Sequence, residues 1–307
     1  MKISTQLLFD RGSAQMSSVQ TKLTQSQAQM AQGKQIINAS DSPNQAATIQ
    51  RLKSILSRQE SYQSSLNTVK ARLQGEDTTM QSVSDLLVRA KEVSVQGAND
   101  TLSAGDKKTL AAEMKALRDQ MLSLANTKDS NGNYLFAGSR VKQPAFAETA
   151  NGSPIYMGDQ TRMNVRVSEQ QSIPVNRTGT DAFVPVSRLD KNGVTIGVGF
   201  FEVMDNLIAG LNTANGNDIR RGIGELDTLQ NGLSLAHAQV GTNLNMVDQQ
   251  TMILEDTALN LKSTLSSIED LDYASAITKM NQQMMSLEAA QASFAKVSQL
   301  NLFNYIK

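Results

Sequence analysis

The 307-residue chain has many Ser, Thr, Asp and Glu side chains but few residues that could activate a nucleophile. His237 is its only histidine, and cysteine is absent. A catalytic nucleophile needs a base and an orienting group, and a thiolate metal site needs cysteines, so neither arrangement can be argued from these residues. His237 follows Ala236 on a predicted helix face, and we interpret it as a structural residue. The sequence therefore predicts a protein that is not an enzyme, with no catalytic residue, no metal ligand and no cofactor.

Two short motifs resemble ligand-binding loops but lack required parts. Asp129-Ser130-Asn131-Gly132 begins like a calcium loop, yet its glycine comes at the fourth position and no glutamate closes a twelve-residue loop. Gly197-Val198-Gly199 lacks the third glycine and the βαβ setting of a dinucleotide site. We interpret the first motif as a turn and the second as the end of a strand.

The charge balance narrows the choice of partners. The chain carries 29 Lys+Arg against 29 Asp+Glu, and no basic run with interleaved aromatic residues stands out. Without a positive field, nucleic acid is not an expected partner. No stretch approaches the 18 apolar residues of a membrane span, so a membrane is not expected either. The first residues lack the apolar core of a secretory signal peptide, and we expect any export to use another route.

Both flanks of the chain show the apolar spacing of long helices. A 3–4 alternation starts at Leu66 and is broken only at Glu76, and a second alternation runs from Leu226 to Ile268. This spacing is typical of coiled-coil seams and predicts a helix over residues 44–96 in the first flank. Ser103 and Asp106 form a candidate capping box for a shorter helix. The predicted core residues of the two seams are Leu66, Leu73, Met80, Leu87, Leu233, Val240, Leu244 and Leu261.

Each seam needs a partner, and the nearest one is the other seam. We therefore expect a mainly α fold, in which the N- and C-terminal halves form a long antiparallel coiled-coil rod over residues 44–130 and 200–268.

The middle of the chain has a different composition. Four of the five prolines and eight of the nineteen glycines fall between Gly132 and Gly199. Short apolar runs bounded by turn residues predict strands at 134–137, 162–167, 172–175 and 194–198. The sequence thus predicts a small β-rich insertion over residues 131–199.

The two ends, residues 1–43 and 269–307, carry little charge. Between Tyr273 and Ile306 only three residues are charged, although the apolar residues keep helical spacing. Solvated helices usually carry more charge, so we expect these helices to pack against copies of the chain, and to fray in an isolated monomer. The candidate assembly residues are Leu7, Met16, Val19, Leu23, Met30, Ile277, Met280, Met284, Leu287, Phe294, Leu300, Leu302, Phe303 and Ile306.

Several segments resemble a known family. Residues 33–47, which include Asn38-Ala39-Ser40-Asp41-Ser42-Pro43, and residues 267–274 resemble the segments that join the terminal helices to the rod in bacterial flagellins and hook-associated proteins. Residues 300–307 resemble the terminal assembly segment of the same family. The central residues 132–138, 144–146, 156–159 and 175–183 are similar to a hook-associated member of that family more than to a filament flagellin. The insertion residues that carry this resemblance are Gly132, Tyr134, Phe136, Gly138, Pro144 and Phe146.

The resemblance implies a structural subunit that joins the flagellar hook to the filament and self-assembles through its terminal helices. It implies an extracellular location, reached through the flagellar type III apparatus without a cleaved signal peptide. The implied partners are a ring of copies of the chain, a hook-side junction protein, filament flagellin and an export chaperone. Two alternatives remain: a filament flagellin, and a helical pore-forming toxin, although charges interrupt the region from Ile155 to Val198 where a toxin would need an apolar tongue.

Overall fold

The structure is a computed structural model that describes residues 2–149, 152–189 and 193–299, with only the backbone described at 2–6, 8 and 297–299. The chain forms two compact units. The first consists of Met1–Arg58 and Asp256–Lys307, and the second of Gln59–Glu255.

Helices dominate both units, which confirms the expected mainly α fold. In the described residues the helices are α1 (Lys2–Gln32), α2 (Pro43–Gly97), α3 (Ala104–Ala125), α4 (Gly179–Ala182), α5 (Phe200–Asn212), α6 (Gly216–Glu269) and α7 (Tyr273–Gln299). The predicted helix over residues 44–96 is α2. The capping box of α3 is present as expected, because Ser103 Oγ accepts from the Asp106 amide at 3.2 Å and the Asp106 carboxylate accepts from the Ser103 amide at 3.3 Å.

In the second unit, α2 and α6 pair in antiparallel fashion. Lys70 Nζ lies 2.7 Å from Asp248 Oδ1, and Gln230 Nε2 donates to Ser84 Oγ at 2.7 Å. Residue numbers thus rise along α2 as they fall along α6. The predicted pairing of the two halves is confirmed for this part of the chain.

The core of the second unit is built on these two helices and on two others. Leu66, Leu73, Met80 and Leu87 of α2 are buried, as are Leu233 and Val240 of α6, whereas Leu244 is partly buried against the same cluster. Leu261 belongs to the first unit and is half-buried. Helices α3 and α5 pack on each other and add Met114, Met121, Met204 and Leu207 to the core. The bundle is therefore thicker than a two-helix coiled coil.

The central region consists of three separate antiparallel hairpins. They pair β1 (Phe146–Glu148) with β2 (Pro154–Tyr156), β3 (Asn164–Arg166) with β4 (Ser172–Pro174), and β5 (Val186–Leu189) with β6 (Thr195–Val198). The predicted strands at 162–167, 172–175 and 194–198 contain β3, β4 and β6. The first hairpin and β5 were not predicted.

The predicted strand at 134–137 is wrong. This segment forms turns, with isolated bridges at Tyr134 and Ala137. Its backbone bonds diverge, since the Tyr134 amide donates to the Val141 carbonyl and the next amide, of Leu135, donates to the Thr127 carbonyl. Each bridge joins a single pair of residues, Lys128 with Tyr134 and Ala137 with Thr178, so no ladder of consecutive pairs forms along this segment.

Candidate assembly surfaces

Helices α1 and α7 pack against each other in the first unit. The rings of Phe9 and Phe294 meet edge to face, with centroids 5.2 Å apart and an interplanar angle of 84°. Ser26 is buried and its Oγ donates to Gln283 Oε1 at 2.9 Å. At the other end of the pair, the Tyr273 hydroxyl donates to the Met30 carbonyl at 3.3 Å. The two helices are therefore antiparallel.

The helix pair buries only part of its apolar surface. Val19 and Leu23 are buried, each 8% exposed. Leu7, Ile277 and Met284 remain 50%, 44% and 41% exposed. The other described candidates, Met16, Met30, Met280, Leu287 and Phe294, are half-buried. Two of the predicted residues thus fill the space between α1 and α7, and three present apolar surface to the outside.

Sequence reasoning missed several residues of this pair. Phe9 and Gly12 lie against Phe294, and a Cβ at Gly12 would lie 3.2 Å from Phe294 Cδ2. Met285 is 61% exposed and extends the apolar surface beside Met284. Phe9 could have been found, because it lies seven residues, one heptad, before Met16. Leu300, Leu302, Phe303 and Ile306 lie outside the described residues.

A joint connects the segment after α1 to the end of α6. The Gln35 amide donates to the Glu269 carbonyl at 2.8 Å, and the Leu271 amide donates to the Gly33 carbonyl at 3.0 Å. Gly33 has φ of 66°, and a Cβ there would lie 3.0 Å from the Tyr273 hydroxyl. Both its conformation and its close neighbour therefore favour glycine.

The charges at this joint are paired. Glu269 is 7% exposed, and its Oε1 lies 2.7 Å from Lys34 Nζ and 2.8 Å from Lys53 Nζ. Burial raises the pKa of the Glu269 carboxyl, but hydrogen bonds from the two lysines outweigh burial and leave that pKa below its ordinary value. Glu269 is thus an ionised anchor for two segments of the first unit.

The second unit holds an aromatic cluster that contains two of the insertion residues. Phe146 lies 5.2 Å from Phe183 and 5.1 Å from Phe201 between ring centroids, and Phe136 lies 5.4 Å from Phe183. The Tyr156 ring is 5.4 Å from that of Phe146. Aromatic residues make up only 4% of the chain, and their concentration here packs the β1–β2 hairpin against α5.

Hydrogen bonds to backbone groups join the central motifs at residues 132–138 and 156–159. The Tyr156 hydroxyl donates to the carbonyls of Phe136 and Asp159, at 3.1 and 2.6 Å. Hydrogen bonds from the Ser139 hydroxyl and amide lower the pKa of Asp159 to about 2. Gly138 is buried at φ of 67° against Asp159, so a side chain has no room there.

The other insertion residues lie outside these contacts. The Tyr134 ring lies 4.7 Å from Lys128 Nζ, Gly132 lies in a turn at φ of 74°, and Pro144 is exposed.

The residues first considered for chemistry have structural partners. Asp129 accepts from the amides of Asn131 and Asn133, which makes the calcium-like motif a turn as expected. His237 Nε2 lies 2.8 Å from Asp77 Oδ1. Within the described ranges, His, Asp and Glu side chains form no group that could hold a metal ion. The helices described at 2–149, 152–189 and 193–299 include none that is long and apolar enough to cross a membrane.

Comparisons with known proteins agree with this architecture. The bacterial flagellin N-terminal helical region matches residues 3–141, and the bacterial flagellin C-terminal helical region matches residues 223–306. The chain belongs to the flagellin superfamily and is a structural protein of the bacterial flagellum.

Within this superfamily, the chain is similar over its whole length to flagellar hook-associated protein 3 of Escherichia coli strain K12. The two are 27% identical over 320 residues, covering 100% of each chain. The flagellin of Listeria monocytogenes is 23% identical over 98% of this chain and 96% of its own length. The crystal structure of Xanthomonas campestris FlgL shares the fold with a TM-score of 0.62 and 22% identity, over 71% of this chain and 99% of that one.

Proposed function

We propose that the chain is the subunit that joins the flagellar hook to the filament. The observation that carries the proposal is the match with hook-associated protein 3, which spans both helical flanks and the central hairpins between them. The resemblance of the insertion motifs to hook-associated proteins supports the same place in the flagellum. The proposed role is structural, in keeping with the flagellar proteins that this chain resembles.

The terminal helices assemble the subunit. The α1–α7 pair exposes Leu7, Ile277 and Met284 while carrying few charges, and such a surface is suited to packing against other chains. The partner at this surface is a copy of the chain, and the copies form a ring. We propose Leu300, Leu302, Phe303 and Ile306 as further subunit contacts, on the strength of their apolar character in a segment with little charge.

The proposed binding partners follow from a ring located between hook and filament. One face of the ring binds a hook-side junction protein and the other binds filament flagellin, and an export chaperone binds the chain before it leaves the cell. Export proceeds without a cleaved signal peptide. We also propose that the chain has three domains. The assembly domain consists of residues 1–43 and 269–307, and the helical rod of residues 44–130 and 200–268. The insertion consists of residues 131–199.

Filament flagellin is the second candidate, because the Listeria flagellin aligns with 98% of this chain. Polymerisation of the purified protein distinguishes the two functions. A junction subunit alone should stop at short oligomers in electron micrographs, whereas flagellin from the same bacterium, as the matched control, should grow long filaments. Long filaments from this chain alone would make it a flagellin. The family match leaves no support for a pore-forming toxin.

A further inference from the structure

Glu76 is a charged residue at a core position of the second unit. It lies on α2 between Leu73 and Met80, three residues after the first and four before the second, where the seam spacing calls for an apolar side chain. The side chain is only 1% exposed. Carboxylates are rarely buried to this degree without full pairing.

The pairing of Glu76 is incomplete. Among the described residues, its Oε1 accepts no hydrogen bond, and the nearest cation on its own helix, Arg72 Nε, is 3.9 Å away. Arg177, in the segment between β4 and α4, faces the carboxylate with its backbone amide and its guanidinium. Arg177 is itself 8% exposed, and its Nε is also without a partner in the part of the chain described.

A cavity lies next to these groups. It has a volume of about 230 Å³, and its lining includes Glu76, Arg177, Asn176 and Gln239. Gln239 comes from α6 and accepts from Arg177 Nη1 at 2.8 Å. The carboxyl group thus lies at the contact of α2, α6 and the segment 175–178.

The other charged groups around the site are already paired. Arg72 Nη1 is bound to Asp129 at 3.0 Å, and Arg162 and Asp181, which both line the cavity, are bound to each other at 3.0 Å. On α6, two residues before Gln239, the imidazole of His237 is paired with Asp77 of α2.

The electrostatic balance at Glu76 favours the neutral acid. Burial raises the pKa of its carboxyl from 4.5 to about 7, against the opposing effects of Arg72 and Arg177. In any open state that exposes the group to water, the pKa returns to its ordinary value. The closed state therefore binds a proton that the open state releases between these two pH values.

We propose that Glu76 is a proton-binding switch that holds the segment 175–178 against α2 and α6, tightly when it is protonated and loosely when it is ionised. The switch is independent of the proposed place in the flagellum, since it rests on contacts within one unit. It makes the attachment of the β-rich region to the bundle responsive to pH near neutrality.

The first test is the carboxyl ¹³C shift of Glu76 in the full chain labelled with ¹³C-glutamate. The expected titration midpoint is about 7, and Glu76→Gln identifies the signal by its loss. A midpoint near the ordinary glutamate value, about 4.5, would overturn the proposal.

The second test is hydrogen exchange at the Val175 amide, which donates to the Met163 carbonyl at 2.8 Å. After correction for the intrinsic exchange rate, its protection should fall about 40-fold between pH 5 and 7, out of about 300-fold over the whole titration. Glu76→Gln should abolish this slope. His237→Gln removes the neighbouring contact between α6 and Asp77 of α2, and as the matched control it should keep the slope. A slope that survives Glu76→Gln, or disappears in His237→Gln, would refute the assignment to Glu76.

Discussion

Lys34 Nζ lies 2.7 Å from Glu269 Oε1, across 235 residues of sequence, and Lys53 binds the same oxygen at 2.8 Å. One buried carboxylate thus fastens the segment after α1 and the start of α2 to the end of α6. The neighbouring backbone bonds of Gln35 and Leu271 complete the joint. Of the two helices proposed to assemble the subunit, α1 ends just before this joint and α7 begins just after it.

Glu269→Gln should loosen the joint. The variant keeps the shape of the side chain but leaves Lys34 and Lys53 without their anion, and since both lysines are half-exposed the cost should be about 1 kcal/mol. Hydrogen exchange at the Gln35 and Leu271 amides should be about fivefold faster. Glu288→Gln, at an exposed position of α7, is the matched control and should leave both rates unchanged.

The effect of Glu269→Gln on the exchange rates should depend on pH. The folded pKa of Glu269 is below its ordinary value, so its stabilising effect is complete above that ordinary value and is lost as the pH falls through the lowered pKa. The difference in exchange rate between wild type and Glu269→Gln should therefore vanish in acid. A difference that persists unchanged at pH 2 would contradict the ion pairing.

The central motifs can be tested with two glycines of similar conformation. Gly138 and Gly132 have φ of 67° and 74°, but a Cβ at Gly138 would lie 3.0 Å from the carbonyl carbon of Asp159, whereas one at Gly132 meets nothing within 4 Å. Gly132→Ala should cost about 1 kcal/mol from backbone strain alone. Gly138→Ala should cost at least about 1 kcal/mol more in urea unfolding. Equal costs would mean that the Asp159 contact does not constrain the motif.

Leu73→Asp tests the core of the bundle. Leu73 is 2% exposed in the α2–α6 seam, and burying an unpaired carboxylate there should cost about 3–5 kcal/mol. Val88→Asp, on the same helix but 51% exposed, should change the free energy of unfolding by less than about 0.5 kcal/mol. The midpoints of thermal melts measure both. Similar midpoints for the two variants would mean that Leu73 is not in the core.

Met284→Asp tests the proposed assembly surface. Met284 is 41% exposed on α7, so the variant should be exported and should melt like wild type, but it should fail to assemble because packing would bury a charge. Met157→Asp, at a position of equal exposure in the β-rich region, should assemble normally. The double variant Leu302→Asp with Phe303→Asp should behave like Met284→Asp. Sedimentation of sheared flagella, with antibody detection of the subunit, distinguishes assembled from free protein.

The sequence predicted the long helices because their signals are local and repeated. The predicted helix over residues 44–96 agrees with α2, and the start of α3 followed from the Ser103–Asp106 capping box. The segment 134–137 was misjudged because its apolar run is typical of a strand, while long-range contacts give it turns.

The two sites that depend on distant residues were not predictable. From the sequence, Glu76 could be recognised only as an interruption of the apolar seam, because its partner Arg177 lies 101 residues further along the chain. The anchoring by Glu269 was missed for the same reason, since Lys34 and Lys53 belong to other elements. The exposed residues Leu7, Ile277 and Met284 were among the candidate assembly residues predicted from helical spacing. Spacing alone could not distinguish them from Val19 and Leu23, which are buried in the α1–α7 pair.

Electron microscopy of flagella from a strain that lacks this chain tests the central claim most directly. Loss of a subunit that joins hook to filament should leave hooks without filaments and should release unassembled flagellin into the medium. Wild-type protein supplied in the same strain should restore the filaments. Full-length filaments attached to hooks in the absence of the chain would contradict the account.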